Sequence, residues 1–159
     1  MVIYLGADHR GFQLKELLKQ FLHQGAFEVA DLGGMEQDPE DDYPDYAAAV
    51  ARRVGDNTDQ ARGILICGSG AGMAIAANKV PRIRAGLALS NDQVFAARDE
   101  DDINILCLAA DFITEADAQQ MVKVFLNTPF AGTMRYRRRI EKVSQIEHAA
   151  LGIPKPPSP

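Results

Sequence analysis

The 159-residue sequence predicts an α/β fold, a five-stranded and mainly parallel sheet with helices on both faces. Two observations predict it. Strand-like and helix-like segments alternate five times, which requires parallel strands joined by right-handed crossovers. The strand-like segments are short, nearly continuous apolar runs, as expected where both faces of a sheet are covered.

The first run, Val2-Ile3-Tyr4-Leu5, ends at Gly6 and leads into the loop Gly6–Gly11. Leu14, Leu17, Leu18, Phe21 and Leu22 then recur at helical spacing, with Gly25 as the expected left-handed stop. Residues 27–32 form the second strand, followed by a polar, acidic loop to Asp42. Pro44 suits the first turn of a helix running to about Val54, because that turn does not need its N–H. Residues 63–66 are the third strand and residues 73–79 an alanine-rich helix. Residues 84–89 are the fourth strand, and Ser90 caps a helix ending near Arg98. Residues 103–108 are the fifth strand, and Thr114 caps a helix to about Leu126. A basic helix over 134–149 is left over after the sheet is complete. The organisation expected is one domain over 1–149 and a proline-rich, disordered tail over 150–159.

Composition narrows the classes. A net charge of −5 argues against a nucleic-acid surface. No apolar run reaches the ~18 residues of a membrane span, and the start Met1-Val2-Ile3-Tyr4-Leu5 has no basic leader, so a cytoplasmic protein is expected. Two cysteines, Cys67 and Cys107, read as reduced thiols.

Chemistry should gather where the strands end at their C-terminal side. The loop Cys67-Gly68-Ser69-Gly70-Ala71-Gly72-Met73 lacks the spacing of a dinucleotide fingerprint, a hydrolase elbow or a P-loop. Its closely spaced glycines uncover backbone N–H groups at a helix start, which favours an anion and makes a thiol there a better base or nucleophile. The competing reading of Cys67 is a buried last residue of a strand. Asp8-His9 is either an acid–base pair or a helix cap beside an exposed imidazole. Arg135 and Arg139 share one helical face and suit a phosphate, unless that face is simply solvated.

Taken together, Gly6-Ala7-Asp8-His9-Arg10-Gly11-Phe12, Asp42-Tyr43-Pro44, Gly63-Ile64-Leu65-Ile66-Cys67-Gly68-Ser69-Gly70, Ala76-Ala77-Asn78-Lys79 and Arg84-Ala85 occur in an order that resembles one family, over residues 2–147. The sequence is similar to type B ribose-5-phosphate isomerases, grouped with the galactose-6-phosphate isomerase subunits. The resemblance implies a Rossmann-like α/β/α sandwich, a homodimer or tetramer with sites shared between subunits, and no metal or cofactor. It implies aldose–ketose isomerisation of a sugar phosphate through a cis-enediolate, within the pentose phosphate pathway. By the same resemblance Cys67 is the base, and Ser69 with the N–H groups of Gly68, Gly70 and Ala71 holds the enediolate oxygen. A subgroup uses glutamate at the position of Met73, so this chain looks like the cysteine type. Asp8 helps to open the furanose ring, His9, Arg135 and Arg139 bind the phosphate, Tyr43 lines the sugar pocket, and Asn78 supports the loop or contacts the substrate.

The chain departs from the pattern in three places. Glu100 and Asp101 stand where His-Asn is usual, so Glu100 is the expected ring-opening group and Asp101 a substrate contact. A carboxyl suits that task when burial or like-charge crowding raises its pKa, and the run Asp99–Asp102 is either such a crowd or a solvated loop. Asp111 replaces a frequent arginine, where an acid repels phosphate, and Tyr136 replaces a common histidine. Three readings follow: Glu100 serves the usual substrate, the substrate is another aldose phosphate, or the chain binds sugar phosphate without turnover.

Overall fold

The computed structural model describes residues 1–152; the expected tail falls mainly on residues 153–159, outside the described residues. The elements run β1 (Val2–Ala7), α1 (Phe12–Gln24), β2 (Glu28–Asp31), α2 (Tyr43–Asp56), β3 (Ala61–Cys67), α3 (Ala71–Ala77), β4 (Ala85–Leu87), α4 (Asn91–Asp101), β5 (Ile105–Ala109), α5 (Glu115–Asn127) and α6 (Met134–Ala150). The five strands lie in the order β2-β1-β3-β5-β4 and every pairing is parallel. The α/β sandwich expected from the sequence is present.

Alternation along the central strands divides the core. Ile64 and Ile66 of β3, with Ile3 and Leu5 of β1, pack against Leu14, Leu18 and Leu22 of α1 and the inner faces of α4 and α5. Leu65 and Cys67 face the other way, with Ile105 and Cys107, onto Ala47, Val50 and Val54 of α2 and Met73 of α3. Successive strand residues point to opposite faces, so both faces of β3 are buried and the run reads as continuously apolar.

Local signals held at several ends. Ser90 Oγ accepts from Gln93 N and Thr114 Oγ1 from Asp117 N, capping α4 and α5, and Pro44 sits in the first turn of α2. Others moved. Gly25 has φ −79°, and the left-handed residue after α1 is Ala26, φ 58°. The fourth strand is shorter than its apolar run because β4 is an edge strand that leaves the sheet for the Ser90 cap. α4 runs through Asp101, three residues beyond Arg98, and closes at left-handed Asp102. The acidic run is thus the last turn of a helix and its cap, not a loop.

The strand order places the site. The chain steps from β1 outward to β2, then returns past β1 to β3, so the two connections diverge and leave a crevice at the C-terminal ends of β1 and β3. Those ends carry Asp8-His9 and Cys67-Gly68.

Candidate active site

Cys67 ends β3 with 4% of its surface exposed, and the N–H of Gly70 donates to its Sγ at 3.1 Å. The thiol is thus the buried end of a strand, and a backbone donor of the glycine loop meets it. Gly70 is left-handed, φ 71°, and a Cβ there would lie 2.5 Å from Leu87 Cδ1 and 3.1 Å from the Leu108 carbonyl. Only glycine makes this turn while lying so close to β4 and β5. The other cysteine, Cys107, is fully buried beside Cys67; desolvation, then the neighbouring sulfur, pushes its thiol far up, so it is inert.

The glycine loop lies between two side chains. A Cβ on Gly68 would strike the Arg10 guanidinium at 2.3 Å from Cζ, and one on Gly72 would meet the Tyr43 ring at 2.8 Å. Arg10 and Tyr43 therefore flank the loop, and the glycines allow that approach. Ser69, between them, is exposed, as is Ala71, whose N–H in the first turn of α3 has no intrahelical acceptor.

Asp8 is 6% exposed and uses Oδ1 to accept from Arg10 N (3.0 Å) and Gly11 N (2.9 Å). That turn opens α1, and it leaves Oδ2 for a ligand. Gly11 is required here: a Cβ would sit 2.4 Å from the Ile66 carbonyl oxygen. His9 is not the free exposed imidazole of the simpler reading. Its Nδ1 lies 2.7 Å from Asp41 Oδ1, and the same oxygen accepts from His9 N at 3.2 Å.

Asp111 forms an ion pair with Arg10 across the glycine loop, while the Asp111 N–H donates to the Gly68 carbonyl at 3.1 Å. The acid that looked hostile to phosphate is thus matched by an arginine of the same chain. A groove of about 310 Å³ opens beside Arg10, walled by Leu14, Ile113 and Thr114. The pair was hidden in the sequence because its members are 101 residues apart.

The remaining candidates lie elsewhere. Asn78 caps α3 at the end away from the glycine loop, and its amide donates to Ala74 O and Ala85 O and accepts from Ala85 N. All its polar capacity ties α3 to β4, so it is a strut for the helix. Glu100 sits in the last turn of α4, with Arg139 Nη1 of α6 4.0 Å from its Oε2. The backbone carbonyl of Asp101 accepts from Arg84 Nε, and Asp102, which follows it, is paired with both Arg84 and Arg98. The acidic run is therefore laced with arginines rather than left as a crowd of like charges. Arg135 and Arg139 both stand over the Tyr136 ring, 5.4 and 6.0 Å from its centroid, exposed on α6.

Glu100 precedes the level at which Ile105 pairs with Gly63, whereas Cys67 pairs with Ala109. Four residues of strand separate those levels, about 13 Å at ~3.3 Å per residue. A depression of about 350 Å³ lined by Asp101, Arg139 and Arg84 marks that far edge. Within one chain the structure brings together Asp8, His9, Tyr43, Cys67, Ser69, Gly68, Gly70 and Ala71, and it groups Glu100, Asp101 and Arg139, with Arg135 a turn away, on the opposite edge.

The parallel sheet sets a thiol, a glycine loop and a polar crevice at its switch point, where α/β enzymes of this architecture bind their ligands. Residues 3–143 match the family model described as Ribose/Galactose Isomerase, and the chain belongs to that family of aldose–ketose isomerases. It is 41% identical over 145 residues to the probable ribose-5-phosphate isomerase B of Mycoplasma genitalium, covering 91% of this chain and 95% of that one. It is 37% identical over 160 residues to ribose-5-phosphate isomerase B of Mycobacterium tuberculosis, covering 100% and 98%. Its fold is similar to the crystal structure of the Mycoplasma genitalium enzyme with bound ribulose-5-phosphate, with TM-score 0.89, 41% identity and coverage of 92% and 95%. The ribose-5-phosphate isomerase B of Clostridium thermocellum superposes with TM-score 0.90 at 37% identity, covering 94% and 99%.

Proposed function

We propose that this chain interconverts ribose 5-phosphate and ribulose 5-phosphate, with Cys67 as the base. The observation that carries this reading is the buried Cys67 thiol at the crevice, beside exposed Ser69 and the backbone of a loop only glycine could form. The likeness to a relative crystallised with ribulose-5-phosphate supports the substrate. The furanose ring opens when the proton on the C1 hydroxyl is removed, the bond between C1 and the ring oxygen breaks, and that oxygen gains a proton; Asp8 serves this step through Oδ2. Cys67 then takes the proton from C2 and returns it to C1, while the proton of the C2 hydroxyl passes to the C1 oxygen. The negative oxygen of the enediolate is held by the N–H groups of Gly68 and Ala71 and the Ser69 hydroxyl, while the Gly70 N–H orients the sulfur. His9 and Arg10 face the phosphate.

Glu100, Asp101, Arg135 and Arg139 complete the site from a second copy of the chain, since they occupy the far edge of their own. Two features support a homo-oligomer. α6 has no buried residue, and its apolar Val143 and Ile146 are 54% and 71% exposed. On the sheet edge, exposed Leu87 reaches the glycine loop, so an apolar edge adjoins the site.

Purified protein assayed with pentose, tetrose and hexose phosphates tests the function: ribose 5-phosphate is expected to turn over fastest. Faster turnover of another aldose phosphate would transfer the same chemistry to that substrate, a reading that Glu100 in place of the usual histidine favours. Absence of turnover on all of them would refute the reading. The shared site has its own test. Cys67→Ala and Arg139→Ala chains, each weak alone, are expected to recover about a quarter of wild-type activity when co-expressed, because half of random dimers are mixed and each mixed dimer holds one intact site. No recovery would show that the site is not shared between chains.

A further inference from the structure

Asp41 has no counterpart among the residues assigned so far, yet it is the partner that decides how His9 stands. It lies in the loop between β2 and α2, 32 residues from His9, and its side chain is only 4% exposed. One carboxylate oxygen meets the same residue twice: it accepts from the backbone N–H (3.2 Å) and lies 2.7 Å from Nδ1 of the ring. The other oxygen, Oδ2, is buried without a hydrogen bond of normal geometry among the described residues. Its immediate surroundings are acidic. The neighbouring Tyr46 phenol is raised by burial first, then by the charge of Asp41 and a loose side-chain hydrogen bond to it, with Asp38 and Asp45 adding to it.

Oδ1 already accepts from the His9 backbone N–H, so it meets the ring as an acceptor and the hydrogen of the short contact is assigned to His9 Nδ1. Fixing Nδ1–H settles both the tautomer and the ring plane, and it leaves Nε2 as the atom offered outward; the His9 side chain is 29% exposed. His9 follows Asp8, whose own oxygen is committed to the turn at Arg10 and Gly11, so neither the backbone nor the ring of His9 is free to swing. A third contact, from Gln37 Nε2 to the His9 carbonyl at 3.2 Å, closes the same loop over the same residue.

We propose that Asp41 is a positioning residue for His9: its buried carboxylate holds Nδ1–H inward so that Nε2 is the atom presented to the substrate in the crevice. This rests on the sugar-phosphate reading above only for what Nε2 meets. The positioning itself is readable without any substrate.

The test uses the full chain with ¹⁵N-labelled histidine. Wild-type His9, assigned by its loss in His9→Gln, is expected to show the Nδ1–H form. In Asp41→Ala it is expected to relax to the commoner Nε2–H form or a mixture. In the same variant KM for ribose 5-phosphate is expected to rise roughly tenfold with kcat changed far less, the pattern of lost uniform binding. Asp41→Asn keeps an acceptor oxygen and is expected to restore much of both. Circular dichroism and thermal midpoints confirm that each variant is folded. An Nε2–H form in the wild type would overturn the proposal, and so would a tautomer unchanged in Asp41→Ala. If the tautomer shifts while no aldose phosphate turns over, Asp41 positions His9 and the substrate reading is what fails.

Discussion

Replacing Cys67 by alanine is expected to lower turnover by about 10²–10⁴-fold, the usual weight of a proton-transferring side chain, while leaving the fold in place. The structural cost is small because one sulfur is lost from a nearly closed site and the Gly70 N–H loses a single weak acceptor. A stability loss of about 1 kcal/mol is the order expected for such a change. Cys107→Ala is the matched control. That thiol lies on the same face of the sheet, two strand levels from the end of β5, and burial keeps it uncharged. The pair of variants separates chemistry from packing: kcat should collapse in the first and stay near wild type in the second, with similar thermal midpoints. Proton exchange at C1 and C2 followed in deuterated water gives the same answer by a second route. Retention of wild-type kcat in Cys67→Ala would remove the thiol from the mechanism.

Lys15→Ala is expected to be the most destabilising single substitution considered, by about 3 kcal/mol, the lower end of the range for breaking a buried ion pair. Lys15 is fully buried on α1, and its Nζ donates to both oxygens of Asp31 (2.8 and 2.7 Å) and to the Gly34 carbonyl (2.7 Å). The lower end applies because Lys19 also donates to Asp31 Oδ2, so the carboxylate keeps one partner. Lys15→Met, which keeps the buried stem, should lose less than Lys15→Ala; equal losses would assign the effect to the ion pair alone. Urea midpoints at constant slope measure both.

Acid should act on the same contact. Burial alone would raise the Asp31 carboxyl, but hydrogen bonds from Lys15 and Lys19 outweigh it and hold it below its ordinary value of 3.8. Its folded pKa is therefore depressed, so its contribution is complete above pH ~4 and disappears as pH falls through the lower folded value. Lys15→Ala should shrink that acid loss. An unchanged acid midpoint would show that Lys19 alone holds Asp31. The contact also has a functional side. Gly34, left-handed at φ 62°, begins the loop that carries Asp41 and Tyr43 to the crevice. Loosening Lys15 should therefore raise KM as well.

Much of this molecule was legible in one dimension. Strands buried on both faces must be apolar throughout, so Gly63–Ile66 and Ile103–Leu108 could be read as strands of a parallel sheet. The Ser90 and Thr114 caps were legible because a cap bonds an N–H only three residues away. Edges were less so. The run Arg84–Leu89 is apolar enough for six strand residues, yet β4 pairs over three because it has a neighbour on one side only. Ala26 takes the left-handed turn that Gly25 was expected to take, a local strain that composition does not reveal.

By itself the sequence determined the alternation of strands and helices and the glycine loop at Cys67, because both rest on contacts within a few residues. Only the tertiary structure decided what surrounds that loop. The Arg10–Asp111 pair spans 101 residues, the His9–Asp41 pair spans 32, and Lys15 reads as an ordinary surface lysine until β2 brings Asp31 beneath it. The strand order likewise put Glu100 and Arg139 on the edge away from Cys67. Such pairings depend on which strands become neighbours and which way each helix returns, and those are settled by packing over the whole sheet, not by any local run of residues.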